Sequence, residues 1–104
     1  MFTVKETPLF KQRIDGILSE EERLAFIVWL ANNPFAGDVI TETGGLRKVR
    51  WARQGTGKSG GLRAIYYNVL ENGEIWLLMP YTKSKFDTLP KKFLRKLLKE
   101  VMDG

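Results

Sequence analysis

Apolar residues recur along this chain at helical spacing, then at strand spacing, then at helical spacing again. Thr3-Val4 opens it as a short extended stretch, an edge or joining strand. Thr7-Pro8 marks a helix start, since proline at the first helical position lacks only an amide hydrogen that has no partner there. Phe10, Ile14, Ile17 and Leu18 follow at helical spacing, with Gly16 weakening the helix near its end. Ser19-Glu20-Glu21-Glu22 is a capping box, the serine capping and Glu22 reaching back. Behind it Leu24, Ile27, Val28 and Ala31 make an apolar stripe, and Asn32-Asn33-Pro34 stops the helix. Two helices joined by a short turn predict an antiparallel hairpin.

Residues 35–45 read as a loop, with Gly37-Asp38 and Gly44-Gly45 as turn signals. Three strands are expected next, at Leu46–Ala52, Leu62–Leu70 and Glu74–Tyr81, the last two joined by a tight turn at Glu71-Asn72-Gly73. Ile75 to Met79 is apolar at every position, as a central strand covered on both sides would be. Leu89-Pro90 opens a final helix with Phe93, Leu94, Leu97, Leu98 and Val101 on one face and Lys92, Arg95, Lys96 and Lys99 on the other. Trp76 and Phe93 are expected in the core. The order strand-helix-helix-strand-strand-strand-helix predicts an α+β fold: a small, mainly antiparallel sheet with an N-terminal helical hairpin and a C-terminal helix. A length of 104 residues fits one domain over residues 1–104.

Composition narrows the chemistry. With no cysteine and no histidine, disulfide frameworks, thiolate nucleophiles, His-based triads and the usual zinc sites are excluded. No apolar run approaches the length needed to cross a membrane, and the N-terminus carries Lys5, Glu6, Lys11 and Arg13 instead of a signal-peptide stretch. A cytoplasmic protein is expected.

Charge is one-sided. Residues 1–46 hold four basic and seven acidic residues, whereas residues 47–104 hold thirteen basic and five acidic ones. No acid occurs between Thr43 and Leu70, where Arg47, Lys48, Arg50, Arg53, Lys58 and Arg63 all fall. Such an asymmetry points to a polyanionic partner, most often nucleic acid.

Gly57-Lys58-Ser59 looks like the tail of a phosphate-binding P-loop, but the place five residues before Gly57 holds Ala52 where that motif needs glycine, and a strand follows instead of a helix. The stronger constellation is Leu46-Arg47-Lys48-Val49-Arg50-Trp51. Alternation along a strand puts Lys48 and Arg50 on one face and Val49 and Trp51 on the other. Hairpin pairing brings Arg63 near Arg50 or Ala52, with Arg53 and Lys58 at the rim. Like charges gathered without an acid are costly unless an anion completes them. No carboxylate is adjacent in sequence to hold a metal ion, so a metal-dependent nuclease is not expected. Metal-free RNA cleavage needs none, because the 2′-hydroxyl attacks its own phosphate while arginines stabilise the developing charge. A lysine, or one of Tyr66, Tyr67 and Tyr81, is available to move a proton or, for the tyrosines, to stack on a base.

These residues resemble the RelE/HigB toxins of bacterial type II toxin–antitoxin systems, most closely the HigB-type branch. The marks are Asn33-Pro34 through Gly37-Asp38-Val39-Ile40, Thr43-Gly44-Gly45-Leu46-Arg47-Lys48-Val49-Arg50, Gly55-Thr56-Gly57-Lys58-Ser59-Gly60-Gly61-Leu62-Arg63-Ala64-Ile65-Tyr66-Tyr67 and Tyr81-Thr82-Lys83-Ser84. The resemblance implies a ribosome-dependent mRNA endonuclease that cuts in the A site of the small ribosomal subunit. It implies no cofactor and no metal. It gives Lys48, Arg50, Arg63 and Lys83 catalytic places; the remaining basic residues Arg47, Arg53, Lys58, Lys92, Arg95, Lys96 and Lys99, with Tyr81, are expected to contact RNA or ribosome. It also implies an antitoxin encoded next door, usually of helix-turn-helix type. Two positions depart from RelE proper: Ser84 stands where an arginine follows the lysine, and Asp87-Thr88-Leu89-Pro90 stands where a tyrosine is expected. The alternatives are a ParE-like gyrase inhibitor and a non-catalytic basic RNA-binding module.

Overall fold

A computed structural model describes residues 1–51, 61–82 and 89–103. The elements run β1 (Thr3–Glu6), α1 (Pro8–Ile14), α2 (Glu20–Asn32), β2 (Asp38–Val39), β3 (Arg47–Trp51), β4 (Leu62–Val69), β5 (Glu74–Thr82) and α3 (Lys91–Asp103). They build one five-stranded sheet in the order β1-β5-β4-β3-β2. The β1–β5 pair is parallel and the other three pairs are antiparallel. The α+β class, the helical hairpin and the C-terminal helix are as the sequence predicts.

The sheet is covered on both faces. On one, Phe10 and Ile14 of α1, Leu18, and Phe26 and Leu30 of α2 pack on Val49, Leu62, Ala64, Tyr66, Ile75 and Leu77. On the other, Leu94, Leu97 and Leu98 of α3 pack on Leu46, Ile65, Leu78, Met79 and Tyr81. This is why Ile75 to Met79 is apolar throughout. The Thr7 side chain accepts from the Phe10 amide and donates to the Leu77 carbonyl at 2.9 Å, capping α1 and tying it to β5 in one residue. Both halves of the Ser19–Glu22 capping box form, at 2.9 and 3.2 Å.

Four expectations need correction. Helix α1 ends at Ile14, ahead of Gly16, so Ile17 and Leu18 reach the core from the following turn. The buried side of α2 is Phe26, Leu30 and Ala31, while Leu24 and Val28 are 63% and 50% exposed. That helix is apolar nearly all round, so periodicity alone leaves its rotation open. Tertiary partners set it: Arg23 grips Glu6 of β1 at 2.8 and 2.9 Å, and the Phe26 ring meets Trp51 at 5.5 Å. Phe93 is 38% exposed at the rim of α3, whereas Trp76 packs against the core as expected. Finally, the segment read as a loop contains β2, a two-residue edge strand paired with β3.

A bulge in β5 sets the phase of its outer half. Ile65 pairs with Met79 but Tyr66 with Leu77, leaving Leu78 as the extra residue. Strict alternation from Leu77 would send Met79 and Tyr81 to the α1–α2 face. With the bulge, both lie on the α3 face. Pro80 follows where β1 has already ended, so its missing amide hydrogen removes no bond to that neighbour.

Candidate active site

The β3–β4 register is Lys48↔Ile65, Val49↔Ala64, Arg50↔Arg63 and Trp51↔Leu62. Directly paired residues share a face, so Lys48, Arg50 and Arg63 project together, opposite Val49 and Trp51. Of the two sequence-level neighbours for Arg63, the structure selects Arg50. The next strand extends the row, because Arg63 also pairs with Tyr81. Arg50, Arg63 and Tyr81 therefore lie side by side across three strands, on the face that α3 covers, with Lys48 one step along the same face.

Lys48 and Arg50 are exposed and Arg63 half-buried. Tyr81 is nearly buried, and beside it a small cavity of about 170 Å³ is lined by Ile40, Lys48, Ile65, Leu89, Lys91 and Leu94. The start of α3 is fastened above this cavity. Lys91 donates to Thr41 Oγ1 at 3.0 Å and to Glu42 Oε1 at 2.7 Å, and Arg95 donates to the Glu42 carbonyl at 3.0 Å. The Lys91 hydrogen bond, and then its charge, hold the Glu42 carboxyl below its ordinary pKa. Glu42 has φ +62, a left-handed conformation uncommon outside glycine. The side chains of Lys92, Arg95, Lys96 and Lys99 line the outer face of α3 and are exposed.

Two sequence-level candidates sit elsewhere. Arg47 pairs with Tyr66 on the opposite face. There its guanidinium donates to the Gly37 carbonyl at 2.6 Å and lies 5.2 Å from the centre of the Phe35 ring. Tyr66, offered as a proton carrier, is fully buried; its hydroxyl donates to the Pro34 carbonyl at 2.8 Å and accepts from the Gly37 amide at 2.9 Å. Burial pushes its pKa up, the Gly37 hydrogen bond opposing it. Both residues are thus structural, and with Asn68, which also donates to the Pro34 carbonyl, they hold the 34–37 turn. Gly37 must be glycine here: a Cβ would sit 2.8 Å from the Lys48 carbonyl and 2.9 Å from the Tyr66 hydroxyl. Tyr67 lies against Trp76, ring centres 6.2 Å apart. Arg53, Lys58 and Lys83, and with them Ser84 and Asp87, lie outside the described residues.

The clasp around Gly37 delivers a residue that sequence reasoning missed. Asp38 pairs with Lys48 across β2 and β3. An open hollow of about 390 Å³ at this edge is lined by Trp29, Ala36, Asp38, Lys48, Val49, Arg50 and Arg63. Through its pairing with Lys48, Asp38 adds a carboxylate to the cations' face, while Trp29 borders the hollow from α2 on the other face of the sheet. The signal was present in sequence, since Asp38-Val39 precedes Arg47-Lys48 by a turn that contains Gly44-Gly45; two residues are too few for the alternation test. Among the described residues, no three His, Cys, Asp or Glu side chains come together as a metal site would need. Nor is any described helix long and apolar enough to cross a membrane.

A row of two arginines with a lysine, backed by a tyrosine and faced by a carboxylate, is suited to hold a phosphodiester and stabilise charge on it. No family model matches the sequence. Among solved structures, the E. coli toxin RelE, determined in its free state as an arginine-to-alanine double mutant, aligns with a TM-score of 0.59 at 12% identity. The match covers 83% of this chain and 87% of that one. The chain therefore has a RelE-like α+β fold.

Proposed function

We propose that this protein is the toxin of a type II toxin–antitoxin pair and acts as a ribosome-dependent mRNA endonuclease without a metal ion. The observation that carries the reading is the Arg50–Arg63–Tyr81 row with Lys48 beside it. The RelE-like fold and the basic second half of the chain support it. Arg50 and Arg63 would bind the scissile phosphate and stabilise the phosphorane, while Lys48 protonates the leaving 5′-oxygen. The products would be a 2′,3′-cyclic phosphate or 3′-phosphate and a 5′-hydroxyl. The exposed cations of α3 fit ribosomal RNA. Lys83 would serve as a further catalytic cation, and Arg53 and Lys58 would contact RNA. An antitoxin of helix-turn-helix type, encoded alongside, would neutralise the protein by direct binding, and the site of action would be the cytoplasm.

The test is 5′-end mapping of cellular mRNA after brief induction, with Arg63→Ala alongside and translation of a reporter blocked in parallel. New ends inside reading frames are expected, lost both with the substitution and without translation. Removing one such charge stabiliser should slow cleavage on the order of 10²–10³-fold. Arrest without cuts would move the case to gyrase inhibition, and binding without arrest to a non-catalytic RNA module.

A further inference from the structure

Cleavage by the 2′-hydroxyl requires a group that accepts its proton, and the chain is short of candidates. It contains no histidine and no cysteine. Lysine and arginine are ordinarily protonated at neutral pH and tyrosine holds its proton, whereas a carboxylate is ordinarily ionised. Tyr66, moreover, is buried with its hydroxyl engaged twice. Among the described residues lining the hollow with Arg50 and Arg63, Asp38 is the one carboxylate.

On that basis, and resting on the endonuclease reading above, we propose that Asp38 is the general base of the reaction. The 2′-hydroxyl proton passes to the Asp38 carboxylate as the 2′-oxygen bonds to phosphorus. The bond from phosphorus to the 5′-oxygen breaks, and Lys48 supplies the proton that makes the 5′-hydroxyl. Asp38 is left neutral and protonated, Lys48 neutral and unprotonated. Because they are direct cross-strand partners, one proton moving from Asp38 to Lys48 restores both. Base and acid are thus one neighbouring pair that resets itself after each cut.

The placement is built into the fold. Asp38 sits beside Gly37, whose amide is held by Tyr66 and whose carbonyl is held by Arg47. Position 38 is therefore fixed by contacts on the opposite face of the sheet, away from the substrate. The ionisable groups around Asp38 are Lys48 and Arg50 of β3, Arg63 of β4, and Arg47 and Tyr66 behind the turn; α2 contributes the neutral Trp29.

The experiment is single-turnover cleavage of mRNA on purified programmed ribosomes, followed from pH 6 to 8.5 for the native chain, Asp38→Asn, Asp38→Glu and Asp87→Asn. Melting curves and ribosome affinity are recorded for each. The native rate should change little with pH while a built-in base takes the proton. Asp38→Asn should be slower on the order of 10²–10⁴-fold, and its rate should rise about tenfold per pH unit as hydroxide replaces the missing base. Asp38→Glu should recover part of the rate and the flat profile. A structural role would lower the rate without steepening the profile. Asp38→Asn with near-native rate, or with a native-shaped profile, would overturn the assignment and leave the endonuclease intact. So would a loss confined to Asp87→Asn. Native protein that binds ribosomes but never cuts would overturn both readings.

Discussion

Tyr66 and Gly37 show how much of this site is made on the wrong side of the sheet. The phenol looks like a catalytic tyrosine in sequence, three residues from Arg63, yet its hydroxyl is spent on holding the 34–37 turn. Tyr66→Phe leaves the Gly37 amide, buried with its residue, without that acceptor, and an unsatisfied buried group costs about 1–3 kcal/mol. At this size each kcal/mol lowers the melting temperature by roughly 4–8 °C. The variant should therefore melt clearly below the native chain, and if Asp38 acts as proposed, cleavage should fall as well, because Asp38 loses its anchor. A variant with native melting and native cleavage would remove the clasp from the account. At this scale the cations were legible: alternation put Lys48 with Arg50, and the structure pairs Arg50 with Arg63. The same alternation sets Arg47 on the opposite face with Val49 and Trp51, but its partners there, the Gly37 carbonyl and the Phe35 ring, come from a turn distant in sequence and leave no mark on the basic stretch itself.

Among elements, the fold was read well where the pattern is long and one-sided, as in α3, and poorly where it is not. Helix α2 has the wrong stripe in sequence because an all-round apolar helix offers several, and the Arg23–Glu6 pair that selects one spans 17 residues. The β5 bulge is likewise silent in an unbroken apolar run, although it decides that Tyr81 joins the Arg63 row. The clip between α3 and the 41–42 segment has a pH signature. Glu42 has its pKa lowered by Lys91, so whatever stability the link contributes is present above the unfolded value of about 4.3 and disappears as pH falls through the lower folded value. Thermal melts between pH 6 and 2.5 should show Glu42→Gln with a shallower acid limb than the native chain. Equal limbs would mean that the link carries no stability.

For the molecule as a whole, charge follows the layers. Helices α1 and α2 and the turn between them carry Lys11, Arg13 and Arg23 against Asp15, Glu20, Glu21 and Glu22, while α3 carries Lys91, Lys92, Arg95, Lys96 and Lys99 against Glu100 and Asp103. If α3 meets RNA, ribosome affinity should fall steeply with salt, since each neutralised phosphate releases counterions. Replacing Lys92, Lys96 and Lys99 by glutamine should flatten the slope of log affinity against log salt by about 0.7–0.9 per lost phosphate contact. An unchanged slope would assign the contact to other cations. The sequence already announced this asymmetry between the halves of the chain; only the sheet between the layers turns a difference along the chain into a difference across the molecule.

Among the described residues, that arrangement sets the acid-rich helical hairpin and the cation-rich α3 on opposite faces of the sheet. A polyanion exerts torque on such a body as well as attraction, rotating it before contact. Because Arg50 and Arg63 lie on the face that carries α3, a polyanion that turned the molecule this way during approach would meet the proposed site first.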